Sequence, residues 1–238
     1  MIKASSKKTE KQARALAAEL AGQLRGMFSQ RNIDGKMRFG ITPRTELAGV
    51  GMAALRQMAR AHRRDQELSL ALWEAKPALH EARLLAALTG DPARVTRRQM
   101  DAWARAFDSW DICDTACMHL FRRTPFAFEK ARRWSGRNAA RDTFVKRAGF
   151  ALMAALAVHA KDEPDATFLA LLPLIRREAC DERNFVRKAV NWALRQIGKR
   201  NARLRRAAIA EAGRIRALGT RAARWIAADA LRELQGRG

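Results

Sequence analysis

The sequence predicts an all-α fold, a curved α-solenoid of antiparallel helix pairs, on three observations. Almost every segment has helical periodicity and is rich in Ala, Leu and Arg, residues with high helix propensity. No run of β-branched residues is long enough for a convincing strand. Short breaks recur at regular intervals, so helix pairs can be drawn over residues 66–88, 94–122, 125–160, 165–199 and 202–235. Each such unit is roughly 25–40 residues long, in or near the range of stacked helical repeats.

The elements follow in order. Residues 1–10 are polar and lysine-rich and read as a flexible basic tail, leaving 11–238 as one repeat domain. "GITP" places Thr42 as an N-cap with Pro43 in the first helical turn. "TGDP", "RRTP", "KDEP" and "GKRNA" separate the later helices. The Ala/Arg-rich stretch after Asn201 reads as a final repeat, with Trp225 in its core.

Charge is the strongest compositional signal. Against 24 acids stand 47 Lys and Arg, a formal net charge of +23. An excess of that size opposes compaction and points to a polyanionic partner, most simply nucleic acid. The cations are spread along the chain rather than gathered on one amphipathic segment, which disfavours a membrane surface. No apolar tract of about 18 residues is present and the N-terminus lacks a secretory apolar core, so a cytoplasmic, nucleoid-associated location is expected. Three Cys residues make a disulfide framework an unsuitable reading.

Two basic arrays stand out. In "DERNFVRKAVNWALRQIGKRN", Arg183, Arg187, Lys188, Arg195 and Lys199 recur at helical intervals around one broad face. Phe185, Val186, Ala189, Val190, Ala193, Leu194 and Ile197 supply the apolar face. Arg122, Arg123, Lys130, Arg132, Arg133, Arg137 and Arg141 form a second belt around Trp134. Phosphate contact is one reading of both arrays, and a solvated, salt-bridged surface is the other.

Trp110 and Asp114 lie four apart on one predicted helix and share a face. A carboxylate beside an aromatic plate suits a cationic, sugar-like transition state. On spacing alone, a core Trp with a capping or salt-bridged Asp carries more weight. Asp111 is turned roughly 100° from Trp110 and reads as a surface or helix-start acid. Trp192 sits mid-helix among cations. Arg147, next to Lys146, opens a long apolar run and needs either an acidic partner or an anionic ligand. Cys113 and Cys117 share a face with no second ligand pair, so no metal site is drawn there, and phosphate-loop signatures are missing. No cofactor is expected.

Taken together, "WDICD", "FVKRAGFALMAALAVHAKD" and "DERNFVRKAVNWALRQIGKRN" resemble the DNA alkylation repair family, the AlkD-like alkylpurine DNA glycosylases built from HEAT-like repeats. The resemblance runs from about Met37 to Asn201 and is most specific in the last motif. In that family a Trp and an Asp four apart, an Arg early in a later helix and a further Trp line a concave cleft. They match Trp110, Asp114, Arg147 and Trp192. The resemblance implies that Trp110 and Trp192 cradle the backbone at a lesion, that Asp114 assists glycosidic cleavage and that Arg147 holds phosphate. The implied substrate is double-stranded DNA carrying N3- or N7-alkylated purines, acted on by a monomer without membrane partners. Lys146, Arg183, Arg187, Lys188 and Arg195 join Arg147 as the expected DNA-binding set. A non-catalytic HEAT-like protein that binds distorted or branched DNA is the alternative.

Overall fold

The computed structural model describes residues 2–136 and 142–236, with side chains from residue 9 onward. Among these residues the chain is helical, and its sole extended pairing is an isolated bridge between Glu46 and Leu79. Two compact units are present, Met1–Thr124 and Pro125–Gly238.

The first unit begins with α1 (Ile2–Gly26) and α2 (Gln30–Arg38), followed by α3 (Met52–Arg60), α4 (Gln66–Glu74) and α5 (His80–Thr89). α6 (Arg97–Ala106) and α7 (Trp110–Thr115) follow, and α7 runs on into one turn of π-helix, Ala116–Leu120, and a 3-10 turn, Phe121–Arg123. Side-chain caps start several of these helices where their N–H groups lack intrahelical partners. Asp65 accepts from the Leu68 amide at 2.9 Å, and Thr96 from that of Gln99 at 3.1 Å. α1 packs on α4 and α5, with Leu24, Leu68, Leu72, Leu84 and Leu85 buried. Trp73 and Trp103 stack at 4.0 Å between ring centroids, with Phe107 edge-on to Trp73, which sets the spacing of α4 and α6.

The expected helix start at Thr42–Pro43 does not form. Residues 41–51 are not helical, and α3 begins only after Gly51. A buried acid explains the difference. Glu81, on α5, accepts from the amides of Ala48 and Gly49 at 3.0 Å each. It thereby satisfies two donors that a helix would have used for itself. Gly49 has φ of 80°, and a Cβ there would run into the Ser29 carbonyl, so the bend needs glycine.

The second unit contains α8 (Ala127–Trp134), α9 (Thr143–His159), α10 (Asp165–Leu169), α11 (Leu172–Arg177), α12 (Asn184–Gly198), α13 (Ala202–Arg216) and α14 (Arg221–Gln235). The predicted pairing is recovered here, except that the expected unit 165–199 opens with two short helices instead of one. α9 is the axis of the unit. Residues 145–157 of it are all buried, against α8 on one side and α12 on the other. Asp142 caps it through the amides of Phe144 and Val145. Arg200 closes its other end, donating to the carbonyls of Ala157 and Ala160 at 2.7 and 3.0 Å while lying 4.0 Å over the Phe168 ring.

The stretch after Asn201 does form a helix pair, α13 and α14, which packs on α12. Its Trp225 is not core. The side chain is 37% exposed and lies beneath Arg187, 4.7 Å from ring centroid to guanidinium carbon. Of the second basic belt, Arg137 and Arg141 lie outside the described residues. Lys130 is fully buried, its ammonium 5.9 Å from the Trp134 ring, so it belongs to the interior rather than to a rim.

Gly149 sets how closely α8 can approach α9. A Cβ there would collide with the backbone of Trp134, 2.8 Å from its carbonyl carbon, and with the Ser135 amide. Because the obstacles are backbone, no side-chain movement relieves them. Gly149→Ala should therefore lower unfolding free energy by about 1–3 kcal/mol, in spite of alanine's better helix propensity. Urea denaturation followed by circular dichroism reads this, and a variant as stable as wild type would contradict the close approach.

Candidate nucleic-acid interface

Trp110 opens α7 and is half-buried. Its indole Nε1 donates to the Phe39 carbonyl at 3.0 Å, which fixes the ring against the end of α2. The ring borders a cavity of about 770 Å³ that is also walled by Arg31, Arg38, Phe39 and Ile41. Phe39 is 76% exposed, an unusual cost for a large apolar ring next to two arginines. Asp114, one turn on, is half-buried on the same helix and is not part of that wall.

The neighbouring acids are committed elsewhere. Asp108 accepts from the Arg44 amide at 2.9 Å. Asp111 was expected at the surface or at the helix start. It is in the first turn but largely enclosed, where it meets His80 Nε2 at 2.9 Å, the Ile112 amide at 2.9 Å and the Ser109 hydroxyl. Burial raises the Asp111 carboxyl, yet hydrogen bonds from His80 and Ser109 and the proximity of His80 outweigh it and hold its pKa below the ordinary value. Asp111 thus anchors α7 to α5.

Glu81 makes a second anchor. Besides the Ala48 and Gly49 amides it takes Lys36 at 2.9 Å, with no exposed side-chain surface of its own. Burial pushes its carboxyl up, while Lys36 and the Ala48 amide pull it down further, so it remains ionised. The two anchors fix α2, the 41–51 segment, α5 and α7 together, and so position Trp110 beside Phe39.

The second unit holds the other predicted residues on α9 and α12. Lys146 is nearly buried and pairs with Glu178 at 2.6 Å and Asp181 at 2.9 Å. Arg147 is 7% exposed and donates Nη1 to the Phe185 carbonyl at 2.8 Å. Arg183 forks onto Asp181 at 2.9 and 2.6 Å and reaches Thr143 Oγ1 at 3.3 Å. These three cations brace the first turns of α9 and α12. Arg195 is paired with Asp229 and Glu233 of α14, and Lys199 with Glu233. The single basic face expected of α12 is therefore largely half-buried and paired with acids.

What α12 shows outward is narrower. Lys188 is exposed and Trp192, one turn later, is half-buried, so an ammonium and an indole share a stripe. Arg187 reaches Asn184 Oδ1 at 3.2 Å and stacks on Trp225. Buried Asn191 donates to Asp229 at 2.7 Å, fixing the rotation of α12 about its axis. The predicted residues thus form two groups. Trp110 and Asp114 stand on the first unit; Lys146, Arg147, Arg183, Arg187, Lys188, Trp192 and Arg195 stand on the second. Sequence reasoning missed Arg31, Arg38, Phe39 and Trp225, although "KMRFGITP", a cation–apolar alternation ahead of a turn, was the available signal for Arg38 and Phe39.

The fold is of the HEAT-like helical-repeat class. A solved structure described as "a new family of proteins related to the HEAT-like repeat DNA glycosylases with affinity for branched DNA structures" superposes with a TM-score of 0.70 at 16% identity, over 82% of this chain and 81% of the other. The profile of the family described as "DNA alkylation repair enzyme" matches residues 10–234, and the chain belongs to that family. Among curated proteins, no sequence matches it significantly. No helix among the described residues is long and apolar enough to cross a membrane.

Asp181 is the acid that Lys146 and Arg183 share. Burial raises its carboxyl, but hydrogen bonds from Arg183 and Lys146 dominate and bring it from 3.8 down to about 2. With a depressed pKa, the pairing stabilises the fold fully above about pH 4 and fades as pH falls toward 2. Asp181→Asn should cost about 1–3 kcal/mol at pH 7. Its deficit relative to wild type should shrink on acidification. Urea titrations at pH 7, 5 and 3 check this, and a deficit that does not change with pH would contradict the assignment.

Proposed function

We propose that this protein is a monofunctional DNA glycosylase that excises cationic N3- or N7-alkylpurines from duplex DNA. The observation that carries the reading is the Trp110–Asp114 pair on α7 in a chain of the DNA alkylation repair family. Asp111 on the same helix is held by His80 and Ser109, and Asp114 shares the helix with an indole fixed by the Phe39 carbonyl.

The chemistry asks little of the protein. In an N3- or N7-alkylated purine the base already carries positive charge. When the bond between N9 and C1′ breaks, its electron pair neutralises that base, and no general acid is needed. Positive charge then builds on the sugar, as an oxocarbenium ion. The Asp114 carboxylate stabilises it, and the indole of Trp110 packs against it. Water adds at C1′ and gives up a proton to Asp114, leaving free alkylpurine and an abasic site. Trp192 packs on the DNA backbone, with Lys188 and Arg187 beside it meeting phosphate. Lys146, Arg147 and Arg183 act first by holding α9 and α12 in register, and Arg147 also holds backbone phosphate.

A net charge of +23 supports a nucleic-acid partner, and binding should weaken steeply with salt as counterions are released. The second reading is non-catalytic binding of branched DNA, which the description of the similar solved structure favours. Asp114 separates the two. Asp114→Asn should retain duplex affinity and lose at least about 100-fold in the single-turnover rate of 7-methylguanine release. Trp192→Ala should weaken duplex binding by about tenfold. Excision that persists unchanged in Asp114→Asn removes the carboxylate from the mechanism.

A further inference from the structure

Away from Trp110, the first unit carries a second cavity, of about 570 Å³, walled by Arg56, Arg60, Arg63, Arg64, Arg123 and His119. Its floor is made by Ala59, Leu88 and Gly90, and no Asp or Glu lines it. Several arginines elsewhere in this chain are paired with carboxylates. Arg94 forks onto Glu67 at 2.6 and 2.5 Å, Arg183 onto Asp181, and Arg25 onto Glu46. Here five arginines gather with no acid among them. Among the described residues none of the five has an ion pair or side-chain hydrogen bond. Like charges so placed repel, and surface dispersion alone would separate them.

The backbone arrangement that gathers them is specific. Arg56 and Arg60 lie one turn apart on α3. The turn that follows carries Arg63 and Arg64, and Arg64 has φ of 61°, the left-handed region that an arginine enters only at a cost on the order of 1–3 kcal/mol. His119 comes from the π-helical turn and Arg123 from the 3-10 turn, an interruption of α-helix of the kind often found at functional sites. Gly90 lets these turns come close, because a Cβ there would lie 2.9 Å from both Leu120 Cδ1 and Ser69 Oγ.

We propose that this cavity is an anion site for closely spaced phosphate groups. Planar guanidinium forks match phosphate oxygens bidentately, and five of them exceed what a single phosphate can use. The volume lies in the range of small-ligand pockets. Such phosphates come from one of two sources, a nucleic-acid backbone or a free polyphosphate ester. The site does not depend on the glycosylase reading, since it shares no residue with α7, α9 or α12.

Tripolyphosphate is the probe, titrated calorimetrically into the full chain. Wild type should bind one equivalent, and Arg60→Gln/Arg63→Gln should bind at least about tenfold more weakly. Arg123→Gln, on a separate element, should weaken binding in the same direction, and thermal melts confirm that each variant is folded. Arg206→Gln/Arg216→Gln removes equal charge from exposed positions of α13 and should change affinity less than about twofold. Displacement of lesion-free duplex by tripolyphosphate, with weaker duplex binding by the cavity variants, assigns the site to nucleic-acid backbone. Duplex binding that the cavity variants leave unchanged assigns it to a free polyphosphate. Equal losses in the cavity and control variants, or no tripolyphosphate binding by wild type, overturn the proposal. Base release from methylated duplex is read in parallel. Its absence alongside selective tripolyphosphate binding would remove the glycosylase reading and leave the anion site standing.

Discussion

Glu81 has no exposed surface, yet three donors converge on it: Lys36 and the amides of Ala48 and Gly49. The same economy recurs through the chain. Asp111 holds His80, Glu178 and Asp181 share Lys146, and Glu211, almost fully buried, takes Arg176 and Arg214. With 24 acids against 47 cations, carboxylates are the scarce component, and several sit where one acid can fasten separate helices. A buried charge is tolerable only when it is paired and hydrogen-bonded, so each anchor also fixes the geometry around it. Removing Glu81 would strand Lys36 and the Ala48 and Gly49 amides and loosen two elements at once.

That constraint shapes both surfaces proposed to meet DNA. On the first unit the Glu81 and Asp111 anchors set the 41–51 segment and α7, so that Trp110 stands beside exposed Phe39 with Asp114 a turn away. On the second, the acids on α14 and around Asp181 draw the inner cations of α12 inward. What is left outward is a short stripe of Lys188 and Trp192, next to Arg187 on Trp225. The excess of cations over acids then has to lie somewhere, and part of it collects around the arginine cavity, which no carboxylate lines. Phosphate is the natural counterpart of that residue set.

Much of the fold was legible in the sequence, because helix pairing rests on local propensity and on regular breaks. Six of the seven residues assigned from spacing to the apolar face of α12, Val186, Ala189, Val190, Ala193, Leu194 and Ile197, are buried, while Phe185 at its start is half-buried. What spacing could not show was pairing at a distance. Arg195 meets Glu233 across 38 residues, and Lys146 meets Asp181 across 35, so cations that look free along a helix are neutralised by packing. The Thr42–Pro43 cap was sound local chemistry overridden by Glu81, more than thirty residues on. Trp225 was read as core because indoles usually are, and Arg187 instead covers one face of it. For the candidate site, the four-residue spacing of Trp110 and Asp114 could be read directly, whereas the cavity wall supplied by Arg31, Arg38 and Phe39 depends on how α2 packs.

The central claim is that positive charge already on the base, with one carboxylate at the sugar, suffices for cleavage. Charge selectivity tests it most directly. Duplexes carrying 7-methylguanine or hypoxanthine at the same position would be incubated with the protein, and the released base measured by chromatography. The account predicts release of the cationic 7-methylguanine and retention of the neutral hypoxanthine, which would need protonation that a lone carboxylate cannot supply. Comparable release of both, or release of neither while the duplex is bound, would contradict it.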